Sequence, residues 1–239
     1  MAEVRAADRP WPRFYFCNLT SDFCNSFLMN RLRISKILIF LAALVPLGRL
    51  GWKAWHGLLG ANPIEVITHS TGDWTLTLVL TTLAITPLRQ ITRQYWLIGV
   101  RRMIGLFAFF YGVLHFTTYI WLDKFFDWHE MVKDVGKRPF ITVGFTAFVL
   151  LIPLAVTSTA GWIRRLGGKN WQRLHRLIYA TAIGGVVHYI WLVKADVRKP
   201  LEYGFVLSIL LLYRVWVRVA ETRKRWLARA RTPAEVAEA

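Results

Sequence analysis

Six apolar blocks, separated by short polar segments, dominate the hydrophobic pattern of this 239-residue chain. Each block approaches 20 residues, the length that an α-helix needs to cross the ~30 Å hydrocarbon core of a bilayer. Soluble domains of this size rarely contain so many long apolar blocks. The pattern therefore predicts an all-α integral membrane protein, a bundle of six transmembrane helices. The predicted spans are 34–50, 69–88, 103–122, 140–158, 174–193 and 203–219.

The fifth block has a histidine near each end, His175 and His188. On one continuous helix, thirteen positions separate the two imidazoles by about 20 Å, most of the depth of a bilayer. We therefore expect two side chains at two depths, arranged as stepping stones. Thirteen residues fall about 140° short of whole turns, so the two histidines do not share one stripe. Both can face the bundle interior only if the helix is kinked or surrounded by other helices. The pair Gly184-Gly185 between them permits a kink, and leaves room for a flat cofactor or another helix.

Positive charge is concentrated in alternate loops, which predicts that both termini are cytoplasmic. The basic residues are Arg31, Arg33 and Lys36 before the first block, Arg89, Arg93, Arg101 and Arg102 after the second, Arg164, Arg165, Lys169 and Arg173 after the fourth, and Arg214, Arg218, Arg223, Lys224, Arg225, Arg229 and Arg231 after the sixth. The other loops are near neutral, and the longest of them, 123–138, balances four acids against four bases. Because the net charge of +17 follows this topology, it does not indicate a nucleic-acid partner.

The ends of the chain predict two short appendages to a single membrane domain, residues 31–219. Residues 1–30 are a mixed, aromatic-rich extension without a secretory signal pattern. Met29, followed by a basic flank and an apolar helix, is an alternative start site. Residues 220–239 are a basic cytoplasmic tail that we expect to lie on the anionic membrane surface.

Four of the six histidines lie in or at the ends of the predicted spans: His69, His115, His175 and His188. An ionisable side chain inside the hydrocarbon region is costly and marks a functional site by default. A proton relay, a metal ligand, a haem ligand and a hydrogen-bonded polar residue all remain candidates at this point. His56 and His129, in the outer loops, are interpreted as surface residues.

Depth in the bilayer sorts these four histidines. His115 and His188 both fall in the outer halves of their blocks, so they can face each other as an axial pair. His69 lies near the outer interface and is an extra or alternative outer ligand. His175 lies near the inner face, where the residue expected as its partner on block three is Arg101. Dispersed histidines without cysteine or clustered carboxylates favour haem over zinc. Phenylalanines and glycines near the pair would line a porphyrin slot: Phe107, Phe109, Phe110, Gly112, Phe116, Gly184 and Gly185.

Three segments of the chain together resemble a known family. They are RRMIGLFAFFYGVLHFTTYIWLD, KRPFITVGFTAFVLLIPLAVTST and WQRLHRLIYATAIGGVVHYIWLVK. The combination looks like the ferric-reductase-type membrane domain. It is most similar to the haem-binding membrane subunits of the periplasmic methionine sulfoxide reductase system, the MsrQ/YedZ family. The likeness extends from about Ile34 to Arg218.

The resemblance implies a b-type cytochrome of the bacterial inner membrane that transfers electrons without being the catalytic reductase itself. The implied acceptor is a periplasmic molybdopterin enzyme that repairs oxidised methionine in proteins. The implied donor is the quinol pool or a soluble flavin reductase, and FMN is an associated cofactor. By motif, the haem ligands fall on His115, His175 and His188, with His69 also at a family histidine position. Arg101 replaces an inner ligand of the larger relatives, which makes a second complete haem doubtful.

The cytoplasmic arginines are the predicted place for a flavin phosphate, because guanidinium groups are good phosphate donors. The group comprises Arg89, Arg101, Arg102, Arg164, Arg165 and Lys169. Trp171 and Gln172 precede His175 and would touch a ring or an acid group there. For each of these residues, topology-setting charge or ordinary packing is the alternative interpretation. The 123–138 loop, with Trp128, is the predicted docking surface for the partner enzyme.

Two other functions fit the same residues. A transmembrane ferric or cupric reductase would share the haem but not the partner enzyme. A transporter or proton channel would use the histidines as a relay and would bind no pigment.

Overall fold

The computed structural model describes residues 21–193 and 196–237, with side chains described for 32–193 and 196–227. Within these ranges the chain is helical and contains no strand. The helices are α1 (Ser21–Trp55), α2 (Pro63–Thr92), α3 (Leu97–Thr118), α4 (Trp128–Lys137), α5 (Pro139–Val156), α6 (Ala160–Leu166), α7 (Gly168–Leu174), α8 (Leu177–Leu192) and α9 (Arg198–Ala237). The predicted extension 1–30 lies outside the described residues up to position 20, and α9 runs on through position 220 without a break.

The helices alternate in direction, so the bundle has two ends. α1 ends, α2 begins, α3 ends and α9 begins at one end, which we call the α4 end because α4 lies there. α2 ends and α3 and α8 begin at the other, which we call the α7 end. Pairs α2–α3 and α5–α8 have the most extensive contacts. The start of α2 is fixed by Pro63 in its first turn and by Asn62, whose side chain accepts a hydrogen bond from the Glu65 amide.

Among the described residues, four helices are long and apolar enough to cross a membrane: Leu32–Trp55, Leu97–Asp123, Pro139–Val156 and Arg198–Leu227. The apolar side chains of α1 and α9 are largely exposed, as expected for helices that face lipid. The chain is therefore a membrane protein, and the number of spans remains a prediction. The second and fifth predicted spans are not among these four. The second, in α2, is less apolar because it contains many threonines. The fifth is short, because α8 has 16 residues and is about 24 Å long.

The threonines of α2 explain how so polar a helix packs inside the bundle. Seven of them donate their hydroxyl to a backbone carbonyl of the preceding turn. Each hydroxyl is thereby satisfied within its own helix, which removes the cost of burying it. The apolar face of α2 supplies Leu76, Val79 and Leu83 to the core, which also contains Val100, Tyr111 and Ala182.

The prediction of one continuous helix over 174–193 is wrong. α7 ends at Leu174, His175 and Arg176 form a turn, and α8 begins at Leu177. The interruption falls at His175 and not at the glycine pair, because Gly184 and Gly185 lie inside the unbroken α8. Their missing side chains serve close packing instead: a carbon added to Gly184 would approach Ala147 of α5, and one added to Gly185 would approach Leu76 of α2.

The segment 123–138, predicted to be a loop, contains a helix. α3 continues as a π-helical turn from Tyr119 to Asp123. Phe125 and Phe126 then adopt left-handed backbone conformations with φ of 46° and 61°. The amphipathic α4 follows. The chain thereby turns sharply at the end of α3 and lays α4 across the end of the bundle.

Candidate functional site

A cavity of about 820 Å³ opens at the α4 end, between α2, α3, α5 and α8. Its size is in the range of small-molecule and cofactor sites. His115 on α3 and His188 on α8 line it, as does His69 on α2. α4 contributes Met131 and Val135 to its outer wall.

His115 is held by the facing helix α2. Its Nδ1 lies 2.9 Å from the carbonyl oxygen of Thr68. Because a carbonyl only accepts, Nδ1 carries the proton and Nε2 keeps its lone pair. The ring also packs against Gly72, where an added side-chain carbon would come within 3.1 Å of it. Carbonyl and glycine together fix the direction of the free nitrogen.

His188 is held in the same way by α5. Its Nδ1 lies 2.7 Å from the carbonyl oxygen of Phe140, in the first turn of that helix. Its ring lies against Gly144, where an added carbon would fall 2.5 Å from Nδ1. The Nε2 of His188 therefore also keeps its lone pair. Metal-binding histidines usually have such a backbone partner on their other nitrogen.

The separation of the two rings matches that of two imidazoles bonded to one metal ion. Their centres are 6.2 Å apart and their planes are inclined by 79°. A metal bonded to both Nε2 atoms at about 2.0 Å would put the ring centres roughly 6 Å apart. The described residues contain no cluster of three or more His, Cys, Asp or Glu side chains suited to a metal. A pair of imidazoles without further protein ligands therefore suits a metal whose other ligands come from a macrocycle.

The walls of the cavity supply a slot for such a ring. Phe116 stacks on Phe148 with ring centres 4.7 Å apart, and Gly112 leaves space opposite Leu151. Phe116, Gly112 and Gly185 line the cavity as predicted. The other three phenylalanines and Gly184 do not, and Phe107 instead packs against Phe40 of α1 at 5.3 Å. Sequence position alone did not reveal which side of α3 faces inward.

His69 lies in the same cavity but is not a third member of the facing pair. Its Nε2 is 3.9 Å from a carboxylate oxygen of Glu65, one turn earlier on α2. Its side chain is 39% exposed. His69 is thus a partly solvated residue with a carboxylate beside it.

His175 lies apart from the cavity, at the α7 end. Its ring stacks on Trp171 with centres 3.9 Å apart, and its Nδ1 is 3.1 Å from the Trp171 carbonyl oxygen. The Trp171 indole in turn donates to the carbonyl of Thr157 at 2.9 Å. The Nε2 of His175 is buried and makes no hydrogen bond of normal geometry with the described residues, although the ring also interacts with the backbone of Leu154. Gln172, the other predicted contact, is exposed.

Arg101 and Arg102 differ in burial. Arg101 is half-buried and donates to the Thr86 hydroxyl at 3.4 Å, and Arg102 is exposed. Arg101 interacts electrostatically with His175 and with a second guanidinium, that of Arg214. Two guanidinium groups therefore lie near each other at the α7 end, and one of them is close to His175.

Arg214 is a residue that the sequence analysis assigned wrongly, to the charges after the sixth block. It lies inside α9, where it donates to the Tyr179 hydroxyl at 2.6 Å and to the Leu83 carbonyl at 2.8 Å. Leu83 needs this donor because the residue four positions on is Pro87, which has no N–H. An arginine within an apolar block, together with a proline within another, was the signal available in the sequence.

A buried ion pair anchors α4. Lys124 Nζ lies 2.5 Å from Asp134 Oδ2, and Arg138 lies 3.3 Å from Oδ1. The bond from Lys124 holds the pKa of Asp134 below its usual range, and Asp134 raises the pKa of Lys124. The tether keeps Met131 and Val135 of α4 over the cavity.

Comparison with known proteins agrees with this architecture. Residues 71–186 match the family described as ferric reductase like transmembrane component. The matched region contains His115 and His175 and ends two residues before His188. The class of protein is thus a ferric-reductase-like membrane protein.

Relatives of nearly the same length define the family more closely. A protein of Herminiimonas arsenicoxydans is 58% identical over 78% of this chain and 86% of its own length. One from Xanthomonas campestris pv. campestris (strain 8004) is 50% identical over 79% and 89%, and one from Ralstonia nicotianae is 52% identical over 77% and 86%. All three are named protein-methionine-sulfoxide reductase heme-binding subunit MsrQ. The chain belongs to the MsrQ family.

Proposed function

We propose that this chain is a b-type cytochrome subunit that passes electrons across the bacterial inner membrane to a periplasmic methionine sulfoxide reductase. The observation that carries the proposal is the facing pair His115 and His188, 6.2 Å apart across a cofactor-sized cavity. The names of the relatives, which are haem-binding subunits of such a reductase, support the cofactor and the partner.

Haem b fits the residues present. His115 and His188 would hold its iron, Gly72 and Gly144 leave space for the two imidazole rings, and Phe116 and Gly112 line the same cavity. When bound, an iron porphyrin with two imidazole ligands has no open position and supplies reversible one-electron transfer. The protein fixes the tautomer of each ligand through Thr68 and Phe140 and excludes water with apolar walls.

The orientation in the membrane follows from charge. The loops at the α7 end carry arginines and lysines without acids, and those at the α4 end are near neutral. Cytoplasmic loops are enriched in basic residues. We therefore propose six spans with both termini in the cytoplasm and the cavity in the periplasmic half of the bilayer.

Electrons would enter at the α7 end. Three arginines lie near one another at this end: Arg89, Arg101 and Arg214. Among the described side chains at this end, Glu221 is the single acidic one. Unbalanced cations of this kind suit an anionic electron carrier, so FMN or a donor that carries flavin is our proposal, with the quinol pool as the alternative donor. Trp171 and His175 lie beside these arginines, so His175 is the candidate ligand for a second haem.

Electrons would leave at the α4 end. Phe125, Phe126 and Trp128 are exposed there, next to the helix that covers the cavity. Aromatic side chains are enriched at protein interfaces. This surface is our proposed docking site for the periplasmic reductase, a molybdopterin enzyme by family resemblance.

Replacing the ligands tests this function. Alanine at His115 or His188 should abolish the b-type absorption band of the reduced, purified protein, because each removes one axial ligand. His129→Ala, an exposed histidine on α4, is the matched control and should leave the band unchanged. If both single variants at 115 and 188 keep a full band, the ligand assignment is wrong.

A further inference from the structure

A second cavity, of about 390 Å³, lies between α1 and α2, on the side of α2 away from the facing histidines. Its residues form one stripe on each helix. α1 contributes Ala42, Val45, Pro46, Arg49, Leu50 and Lys53, and α2 contributes Val66, Ser70 and Trp74. These spacings of three and four residues put each set on one helix face. We call this cavity the α1–α2 groove.

The polar groups of the groove are donors without partners. Arg49 and Lys53 form no ion pair or hydrogen bond with any residue whose side chain is described, and the same holds for the Ser70 hydroxyl and the Trp74 indole. This contrasts with the α2 threonines, which bond to their own helix. No carboxylate lines the groove. A ligand that completes it must supply negative charge and several acceptor oxygens.

The depth of the groove in the bilayer identifies the ligand further. Arg49 lies six residues, about 9 Å, before the end of α1 at Trp55. Trp52 and Trp55 are 64% and 88% exposed at the same end, and indoles prefer the membrane interface. The cations therefore lie near headgroup level, with Val66 beside them in the first turn of α2, and Ala42, Val45 and Trp74 continue the groove toward the hydrocarbon core.

We infer that the α1–α2 groove is a binding site for one anionic phospholipid. Its phosphate lies between Arg49 and Lys53, near Ser70, and an acyl chain follows the apolar residues inward past Trp74. Basic pockets between membrane helices are suited to acidic headgroups. A second copy of the chain is a poorer occupant of the groove. Its apolar helix faces would have to supply carboxylates to neutralise Arg49 and Lys53, and carboxylates are rare in the middle of such faces. The inference does not depend on the proposed electron transfer.

Native mass spectrometry of the full-length protein tests the site. Protein in mild detergent is incubated with equal amounts of phosphatidylglycerol and phosphatidylcholine. Bound lipid is then identified from the increase in mass of the intact protein. We expect one phosphatidylglycerol in clear preference to phosphatidylcholine. Arg49→Gln with Lys53→Gln should lower its retention by about tenfold or more, since each surface cation contributes to binding of acidic lipid.

Two further variants keep the test sharp. Lys133→Gln with Lys137→Gln removes the same charge from α4, outside the groove, and should retain lipid like the parent protein. Val66→Trp fills the groove without altering charge and should lose the lipid. Equal retention of the two lipids by the parent protein, or undiminished retention by the Arg49/Lys53 variant, would overturn the inference. A lipid-free dimer that dissociates in the Val66→Trp variant would assign the groove to a second copy and also overturn it.

Discussion

Each of the two facing histidines is oriented by one backbone carbonyl and one glycine. His115 uses Thr68 and Gly72, and His188 uses Phe140 and Gly144. The histidines could be found in the sequence because ionisable residues are rare in apolar blocks. The two glycines could not, because which glycine faces which ring depends on how adjacent helices are rotated.

The glycine beneath His188 gives a sharp prediction. Gly144→Ala would put a methyl group 2.5 Å from Nδ1, so the ring must leave its bond to Phe140. We expect the variant to fold but to lose or shift the reduced absorption band. Gly136→Ala is the control, because nothing lies within 4 Å of the added carbon on α4. An unaltered spectrum in Gly144→Ala would mean that this contact does not orient the ligand.

At the level of helices, proline and arginine are coupled across the bundle. Pro87 leaves the Leu83 carbonyl without its helical donor, and Arg214 supplies one from α9. Arg214→Met removes the hydrogen-bond donor of this carbonyl and of the Tyr179 hydroxyl. The free energy of unfolding should therefore fall by about 1–3 kcal/mol. Arg218→Met, one turn on and exposed, should change it by less than about 0.5 kcal/mol.

A double-mutant cycle isolates that coupling. Pro87→Ala restores an N–H for Leu83, so Arg214→Met should cost less in that background, by roughly 0.5–1.5 kcal/mol. The measurement is reversible unfolding in detergent, with all four proteins under one condition. Strictly additive effects would show that the arginine does not replace the missing donor.

The tether of α4 should depend on pH. Lys124 lowers the pKa of Asp134. The contribution of the Asp134 carboxylate to the free energy of unfolding is therefore complete above the unfolded pKa of about 3.9, and it is lost as pH falls through the folded pKa. The pKa of Lys124 is raised, so its contribution is complete below about 10.4 and is lost as pH rises through the folded pKa. Between these limits, Asp134→Asn should lower stability by about 1–3 kcal/mol.

The melting temperature as a function of pH measures this tether. The difference between the parent protein and Asp134→Asn should be constant near neutrality and shrink below about pH 4. Glu130→Gln breaks an exposed pair with Lys133 on the same helix and should have little effect at any pH. A difference that grows on acidification would contradict the assignment.

Helix order was largely predictable, and helix interruptions were not. Long apolar blocks indicated the helices because hydrophobic length is encoded locally. The turn at His175 and the presence of α4 depend on tertiary contacts: the Trp171 ring on His175, and the pairing of Asp134 with Lys124. The resemblance to the MsrQ family was confirmed by the relatives, while the roles of individual residues remain predictions.

In the whole molecule, the proposed entry point of electrons at the α7 end is separate from their proposed exit point at the α4 end. Arg101→Ala removes a half-buried cation next to His175 at the α7 end and leaves the cavity of His115 and His188 unaltered. We expect flavin content and turnover with the reductase to fall severalfold while the haem band persists. Arg218→Ala, an exposed arginine on α9 outside the predicted flavin-phosphate group, is the control. Unchanged flavin and turnover would mean that electrons enter elsewhere.

The proposal that α3 and α8 hold one iron porphyrin is best tested by a reduced-minus-oxidised spectrum with haem and flavin quantified per chain. For protein expressed with ample haem, we expect a b-type spectrum and at least one haem per chain. We also expect the loss of one haem per chain when His115 and His188 are replaced together. Colourless protein, or an undiminished haem content in that double variant, would contradict the proposal.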